Sequence, residues 1–287
     1  MTDRYVYLNG RIVPEPEASL SVFDTGFLHG ASVFTTLRSH NGAAFRLDRH
    51  IGRLLEMAEQ IGISHDATAE GLTAAVADVL KANDIAEGRI RITISPGPVG
   101  MDRPTVVVTA SALEAYPQWW YTKGIGAIVS GVRQFTGDPT SGLKTGCYLP
   151  RVLARQAAAT AGAEEAIWFT ETGHLAEACF CNVFIVRNGE VSTPPLETPV
   201  LPGVVRQAVI ELCEKLNIPC HIDKPITGED VSAADEIFLS SSTAGIRPVV
   251  RIAKNPVGDE KPGPITKKLI SAYENLLEQE CPKDQIP

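Results

Sequence analysis

The chain has 287 residues, which is usually enough for about two domains with sizeable hydrophobic cores. Hydrophobic residues make up 44% and charged residues 21%, as in an ordinary globular protein, and the net charge of −8 argues against binding to nucleic-acid phosphates. The N-terminus lacks the layout of a signal peptide, and no stretch approaches the roughly 18 apolar residues of a membrane span. We therefore expect a cytoplasmic protein that binds neither membranes nor nucleic acid.

The first half begins with a hairpin signal and continues with two helical patterns. Asn9-Gly10 separates two apolar runs and suits a tight primed turn. From Asp48, which we take as the N-cap, apolar residues recur at helical spacing. The predicted elements are hairpin strands 5–8 and 11–13, a short strand 43–47, a helix from 48, a helix at about 66–82, and strands 89–95 and 105–111.

Residues 113–124 contain Pro117 and show no clear period, so we place the domain linker there. The predicted domains are 1–117 and 125–287, with 118–124 between them. Strands and helices mix without strict alternation in the second half, which favours an α+β fold over a doubly wound sheet. The elements predicted there are strands at 125–131, 165–170, 182–187, 219–223 and 236–240, and helices at about 148–161, 203–216 and 264–280.

The six cysteines predict neither disulfides nor a metal site. Only Cys179 and Cys181 lie close together, and no histidine or cysteine cluster completes a zinc pattern. We interpret them as reduced thiols.

Four short segments in the second half carry residues suited to chemistry. Lys144 lies in the turn Ser-Gly-Leu-Lys-Thr-Gly, and Glu177 precedes an apolar strand about thirty residues later. The segment Leu-Pro-Gly-Val-Val-Arg, residues 201–206, predicts a turn into a helix, whose free N–H groups and dipole end favour phosphate. Residues 238–248 form a hydroxyl-rich loop that would supply further phosphate donors. Each segment alone is weak, since a lone lysine on a turn is usually a surface lysine.

In this order, the segments resemble class IV aminotransferases, the fold-type IV pyridoxal-phosphate (PLP) enzymes. That family includes branched-chain and D-amino acid aminotransferases, (R)-selective amine transaminases and aminodeoxychorismate lyase. Residues 21–34 are similar to its N-terminal signature, residues 50–54 to its H-x-x-R-L motif, and residues 263–266 to its C-terminal Gly-Pro-Ile-Thr. The resemblance spans nearly the whole chain.

The resemblance implies a two-domain α+β fold like that of D-amino acid aminotransferase, with PLP in the interdomain cleft, and a homodimer. Lys144 would form the internal Schiff base and later shuttle a proton, a role that suits lysine. Glu177 would keep the pyridine nitrogen protonated so that the ring acts as an electron sink. Tyr148 would reach the phenolic oxygen. The phosphate ligands would be Arg53, the backbone N–H groups of Val204 and Val205, and the hydroxyls of Ser241 and Ser242.

The resemblance leaves the reaction open. We favour an aminotransferase that moves an amino group between an amino acid, of branched-chain or D type, and a 2-oxo acid. Family aminotransferases often carry Glu at the position of Thr35, and its loss argues against a standard branched-chain or D-alanine pocket. The pattern Phe-Thr-Thr-x-Arg at residues 34–38 also occurs in some aminodeoxychorismate lyases, C–O lyases of the folate pathway that release pyruvate, and it favours that alternative. The run His-Gly-Ala-Ser-Val-Phe, residues 29–34, looks more like an aminotransferase. A catalytically idle PLP-binding relative is the third alternative.

Arginine suits bidentate recognition of a substrate carboxylate. The expected substrate contacts are Phe34, Arg38 and Arg133, with Arg38 preferred. Arg89 and Arg91 alternate along one strand and therefore point to one face, which solvent exposure alone would explain.

Overall fold

The structure, a computed structural model, describes residues 4–283. These residues group into two compact units. The first contains the described residues up to Glu114, together with Leu143–Cys147 and those from Leu277 onward, and the second contains Ala115–Gly142 and Tyr148–Leu276. The boundaries expected from the sequence stay a prediction about domains, and the structure adds that the segment around Lys144 groups with the N-terminal unit.

The first unit contains a six-stranded antiparallel sheet in the order β2-β1-β6-β5-β3-β4. Helices α2 and α3 pack against the sheet, α2 on β3 and α3 on β1 and β6. The elements are β1 (Tyr5–Leu8), β2 (Arg11–Pro14), a 3₁₀ turn (Glu15–Glu17), α1 (Thr25–His29), β3 (Val33–His40), β4 (Ala43–Ala44), α2 (Leu47–Gln60), α3 (Ala69–Ala82), β5 (Gly88–Ser95) and β6 (Thr105–Ala112).

The predicted hairpin is confirmed. Asn9 and Gly10 both have positive φ, 47° and 88°, as a primed two-residue turn requires. The helix at 66–82 and the strands at 89–95 and 105–111 are also confirmed, within one to three residues of the observed ends.

The strand predicted at 43–47 is shorter than expected, and the N-cap predicted at Asp48 is wrong. Only Ala43–Ala44 are strand, and α2 begins at Leu47 after Arg46, whose φ of 49° is left-handed. The Arg46 guanidinium pairs with both carboxylate oxygens of Glu280, with nitrogen–oxygen distances of 3.0 and 2.9 Å. This bidentate ion pair holds the sharp turn that starts α2 in place of a side-chain cap.

The second unit contains a larger mixed sheet in the order β12-β11-β10-β13-β14-β7-β8-β9, with β15 paired to β14. The β14–β7, β7–β8 and β11–β12 pairs are parallel, and the others are antiparallel. The elements are α4 (Trp119–Thr122), β7 (Ile125–Val129), α5 (Leu149–Thr160), β8 (Glu165–Phe169), β9 (Leu175–Ala178), β10 (Asn182–Arg187), β11 (Glu190–Ser192), α6 (Val204–Lys215), β12 (Cys220–His221), α7 (Gly228–Ser232), β13 (Glu236–Ser241), β14 (Gly245–Ile252), β15 (Asn255–Pro256) and α8 (Pro264–Glu280), whose last residues belong to the first unit.

The mixed sheet confirms the α+β prediction for this half of the chain. Its core is built by apolar side chains of successive strands, among them Ile125, Ile167, Val183, Ile237 and Val249. These residues are almost fully buried, and their alternation along the strands stabilises the sheet from one face.

Several strands were not predicted, and β14 shows why. It contains Pro248, which cannot donate a ladder hydrogen bond and normally argues against a central strand. The pairing of β14 with β7 shifts register between Val249 and Arg251, next to this proline. Proline is tolerated at such a bulge. The segment after Phe238 that was predicted to be a loop therefore includes a strand, and β13 and β14 form a tight hairpin.

No helix within residues 4–283 is long and apolar enough to cross a membrane. In the same range, no group of three or more His, Cys, Asp or Glu side chains is arranged to hold a metal ion. All six cysteines are free thiols.

Candidate active site

Lys144 lies on a short segment that pairs with the start of β3. The Phe34 N–H donates to the Lys144 carbonyl at 2.9 Å, and the Gly146 N–H donates to the Ser32 carbonyl at 2.8 Å. A Cβ on Gly146 would lie only 2.5 Å from Ser32 Oγ, so the close approach requires glycine. The backbone is therefore held at the Lys144 carbonyl and again two residues later, at Gly146.

The side chain of Lys144 meets a second cation at the ring of Phe34. Lys144 Nζ lies 4.7 Å and Arg91 Cζ 3.5 Å from the ring centroid. Arg91 Nε donates to Thr93 Oγ1 at 3.1 Å, which holds the guanidinium over the ring. Both contacts are within the range of a cation–π interaction. The result is an amine and a guanidinium beside one aromatic ring.

On the opposite face of β3, Thr35 connects two residues of α2. Thr35 Oγ1 lies 2.8 Å from His50 Nδ1, and Arg53 Nη2 donates to the same hydroxyl at 3.0 Å. All three residues are buried, with 0%, 0% and 8% of their surface exposed for Thr35, His50 and Arg53. The motif residues His50 and Arg53, three apart on the helix, thus share one acceptor on the sheet.

The contacts of His50 favour its neutral form. Arginine only donates, and Arg53 Nη2 lies 3.5 Å from His50 Nδ1, so this ring nitrogen is placed to accept a hydrogen bond. Consistent with this, burial, and then the charges of Arg53 and Lys144, hold the pKa of His50 well below its ordinary value.

The two arginines predicted to bind substrate each make another contact within their own unit. Arg38 is four residues from Phe34 along β3, about 13 Å at the usual rise per residue, and forms an ion pair with Glu87 at 3.0 Å. Arg133 is exposed on the loop after β7, with its guanidinium 5.7 Å from the centroid of the Phe169 ring. Their role toward a substrate stays a prediction.

Glu177, in the second unit, is a buried carboxylate with both oxygens engaged. It lies on β9 with 4% of its surface exposed. Arg151 Nη2 donates to Glu177 Oε1 at 2.5 Å, and the Leu201 N–H donates to Oε2 at 3.2 Å. Because an ionised carboxylate has about four acceptor positions, it can still accept a further hydrogen bond.

Tyr148 is the residue that precedes α5. Its ring stacks on Phe180 with centroids 5.7 Å apart and planes 17° apart. The guanidinium of Arg151, three residues later on the first turn of α5, lies 5.7 Å from the Tyr148 ring centroid. Tyr148 and Glu177 are therefore both neighbours of Arg151, a residue that sequence reasoning missed.

The N-terminus of α6 has the features of an anion site. Its N-cap is Gly203, so no side chain caps the first N–H groups of Val204 and Val205. A Cβ on Gly203 would lie 2.0 Å from Asn182 Oδ1. Asn182 Nδ2 donates to the Leu201 carbonyl at 2.8 Å, which fixes the turn that leads into the helix.

Ser241 ends β13, and Ser242 begins the turn to β14. Two linker tyrosines hold this turn: the Tyr116 hydroxyl lies 2.9 Å from Thr243 Oγ1, and the Tyr121 hydroxyl donates to the Ala244 carbonyl at 2.9 Å. No local pattern predicts this contact, because the linker and the turn are more than 120 residues apart in the chain.

Comparison with known proteins gives one consistent family. The family model described as amino-transferase class IV matches residues 32–252. The chain is 34% identical over 279 residues to a putative branched-chain-amino-acid aminotransferase of Methanocaldococcus jannaschii, covering 94% of this chain and 96% of the relative. It is 31% identical over 281 residues to an aminodeoxychorismate lyase of Bacillus subtilis, covering 95% and 94%. The solved branched-chain aminotransferase of Thermoproteus uzoniensis with norvaline matches with a TM-score of 0.88 at 32% identity, covering 99% of this chain and 96% of that one.

Proposed function

We propose that this chain, which belongs to the class IV aminotransferase family, is a PLP-dependent aminotransferase that exchanges an amino group between a branched-chain amino acid and a 2-oxo acid. The observation that carries the proposal is the pair of cations on the Phe34 ring, Lys144 at 4.7 Å and Arg91 at 3.5 Å. A substrate with a carboxylate beside its reacting carbon needs such a pairing of amine and guanidinium. The likeness to solved structures also confirms the predicted fold, α+β of fold type IV.

The donor groups fit a phosphorylated pyridine. The uncapped start of α6, where Gly203 leaves no room for a Cβ, suits a phosphate, and the buried Glu177 suits a protonated ring nitrogen. The residues that we assign to the cofactor are those expected from the sequence. They are Lys144, Glu177, Tyr148, Arg53, the N–H groups of Val204 and Val205, and the hydroxyls of Ser241 and Ser242.

When bound, PLP supplies an electron sink for the charge left at the substrate Cα after its proton is removed. Lys144 would hold the cofactor, and its amine would take up and return the proton of the substrate Cα. The backbone hydrogen bonds next to Lys144 restrict the positions that its amine can reach, which favours proton transfer in one geometry. Glu177, with Arg151 as its counter-ion, holds the negative charge that the ring N–H requires.

Arg91 is the proposed substrate carboxylate ligand, in preference to Arg38. Arg91 lies over the ring that Lys144 contacts, whereas Arg38 is already paired with Glu87. The branched-chain substrate class is supported by the relative from Methanocaldococcus jannaschii and by the solved aminotransferase, whose names specify that activity. A D-amino acid donor remains an outcome of the test below.

We also infer that the enzyme is a homodimer. In the first unit, Phe23 and Phe27 are 65% and 72% exposed, and Val22, Leu28 and Met101 are exposed near them. The Val99 N–H donates to the Phe23 carbonyl at 3.0 Å, which brings the second segment next to the first. An apolar surface of this kind is typical of an interface, and a second copy is the occupant the proposal names. Light scattering should give twice the monomer mass, and Phe27→Glu should reduce it.

The test of function is a half-reaction followed by absorbance. Purified protein with bound PLP is mixed in turn with L-leucine, L-glutamate, D-alanine and D-glutamate. Conversion of the PLP spectrum to that of pyridoxamine phosphate with L-leucine supports the proposal. Conversion with D-amino acids only would show that the donors are D-amino acids and not branched-chain L-amino acids. Arg91→Lys should raise KM for the donor more than it lowers kcat, because lysine keeps the charge but loses the bidentate geometry.

Aminodeoxychorismate lyase is the second candidate, favoured by the relative from Bacillus subtilis and by Thr35. The lyase would release pyruvate from aminodeoxychorismate without consuming a 2-oxo acid. Pyruvate release, together with a PLP spectrum that no amino acid donor changes, would establish this reading. A PLP spectrum with neither reaction would point to the idle relative.

A further inference from the structure

Arg151 connects three parts of the second unit. It lies on the first turn of α5, and its Nη2 donates to Glu177 Oε1 at 2.5 Å. Its Nη1 donates to the carbonyls of Ala178 and Cys179, at 3.0 and 3.1 Å. One guanidinium therefore holds the Glu177 carboxylate and the backbone that follows it at the end of β9.

The guanidinium is enclosed by aromatic rings. Its Cζ lies 5.7 Å from the Tyr148 ring centroid and 5.3 Å from the Trp168 ring centroid, and 16% of the side chain is exposed. Burial lowers the pKa of Arg151, but the charge and hydrogen bond of Glu177, together with Tyr148 and Cys179, outweigh burial and raise the pKa above its ordinary value. Arg151 is therefore held in one place as well as charged.

The hydrogen bonds that begin at Arg151 continue beyond Glu177. Its other oxygen, Oε2, accepts from the Leu201 N–H at 3.2 Å, and the Leu201 carbonyl accepts from Asn182 Nδ2 at 2.8 Å. Leu201 leads through Pro202 into the N-terminus of α6. The chain of hydrogen bonds thus runs from α5 through the carboxylate to the turn whose N–H groups are proposed to bind phosphate.

We propose that Arg151 is a positioning residue that sets the Glu177 carboxylate and the α6 turn at the spacing a phosphorylated pyridine requires. The inference rests on the function proposed above. A rigid ring with a phosphate at one end and a basic nitrogen at the other needs both protein groups at fixed positions. Arg151 touches neither end of that ligand in this account and acts through Glu177.

Lysine could not replace it. The guanidinium is planar and uses two nitrogens at once, one for the carboxylate and one for two carbonyls. An ammonium is a single point and cannot reach all three acceptors with the same geometry. Arg151→Lys therefore separates the requirement for charge from the requirement for geometry.

The test measures PLP binding by equilibrium dialysis and, per bound PLP, the circular dichroism of its visible band, which reports how asymmetrically the cofactor is held. The variants are Arg151→Met, Arg151→Lys, Glu177→Gln and the double variant Arg151→Met with Glu177→Gln. The matched control is Arg155→Met, on the same helix, where the half-buried side chain makes no hydrogen bond or ion pair to any residue in 4–283.

We expect Arg151→Met to raise the PLP dissociation constant at least about tenfold, the factor that corresponds to one charge-assisted hydrogen bond. It should also reduce the visible dichroism. Arg151→Lys should fall between Arg151→Met and wild type, and Arg155→Met should stay within about twofold of wild type. In the double variant, the loss should be no larger than in Glu177→Gln alone, because the two residues act as one unit.

Two results overturn the inference while leaving the proposed function intact. One is wild-type affinity and dichroism in Arg151→Met. The other is a double variant in which the increase in the PLP dissociation constant equals the product of the two single increases, which would show that Arg151 acts independently of Glu177. If Arg151→Met is insoluble, Arg151→Lys carries the same comparison, and wild-type behaviour in that variant overturns the inference. A wild-type protein that takes up no PLP overturns the proposed function and this inference together.

Discussion

Replacing Thr35 by valine should destabilise the first unit through the loss of one hydroxyl. The substitution keeps the shape and the β-branch but removes the hydroxyl that accepts from Arg53 at 3.0 Å and hydrogen-bonds His50 Nδ1 at 2.8 Å. A neutral hydrogen bond contributes about 1 kcal/mol, and one with a charged partner about 1.5–3 kcal/mol. Because Thr35 is fully buried, water cannot replace either bond, and we expect a loss of about 2–4 kcal/mol.

The assay is thermal unfolding of the protein without added PLP. A change of 1 kcal/mol shifts the melting temperature of a domain of this size by about 2–4 °C, so Thr35→Val should lower it by roughly 5–15 °C. The control is Thr36→Val on the same strand. Thr36 points to the opposite face, is half-buried and makes no side-chain hydrogen bond to any residue in 4–283. Equal melting temperatures for the two variants would refute the reasoning.

Three further predictions concern His50, Gly146 and Gly203. Because burial lowers the pKa of His50, the unfolded chain takes up a proton below about pH 6.5 that the native state does not. Stability should therefore fall as the pH falls, by up to about 1.4 kcal/mol per pH unit, and His50→Asn should remove this part of the slope in urea unfolding between pH 7 and 5. Gly146→Ala should destabilise the protein by about 1–3 kcal/mol and weaken PLP binding, because its Cβ has no space, whereas Gly52→Ala, in open space on α2, should be neutral or stabilising by chemical denaturation. Gly203→Ala should weaken PLP binding measured by dialysis without changing the far-ultraviolet spectrum, and unchanged affinity would exclude the α6 turn as the phosphate site.

Local signals predict a large part of this molecule. The Asn9-Gly10 turn, the apolar periodicity of α3 and the Leu-Pro-Gly start of α6 all depend on residues close together in the sequence. The helix α2 is also confirmed, but its predicted N-cap is wrong, because Arg46 is held in its left-handed conformation by Glu280, over 200 residues away. Local propensity contains no information about that ion pair.

The candidate site residues also divide into those that sequence motifs predict and those that only the fold identifies. Lys144 and Glu177 stand out by their order among short motifs, and both are proposed, not tested, as cofactor residues. Arg151 carries no such signal, since an arginine on the first turn of a helix is usually a solvated side chain, and only the fold places it against Glu177. Arg91 belongs to an alternating pair in the sequence, and its position over Phe34 depends on the pairing of β3 with β5.

The most direct test of the central claim is to reduce the PLP-treated protein with borohydride and to map the modified peptide by mass spectrometry. The account predicts one cofactor mass per chain, located on Lys144, and none in Lys144→Ala. Modification of another lysine in place of Lys144, or no incorporation at all, would contradict it.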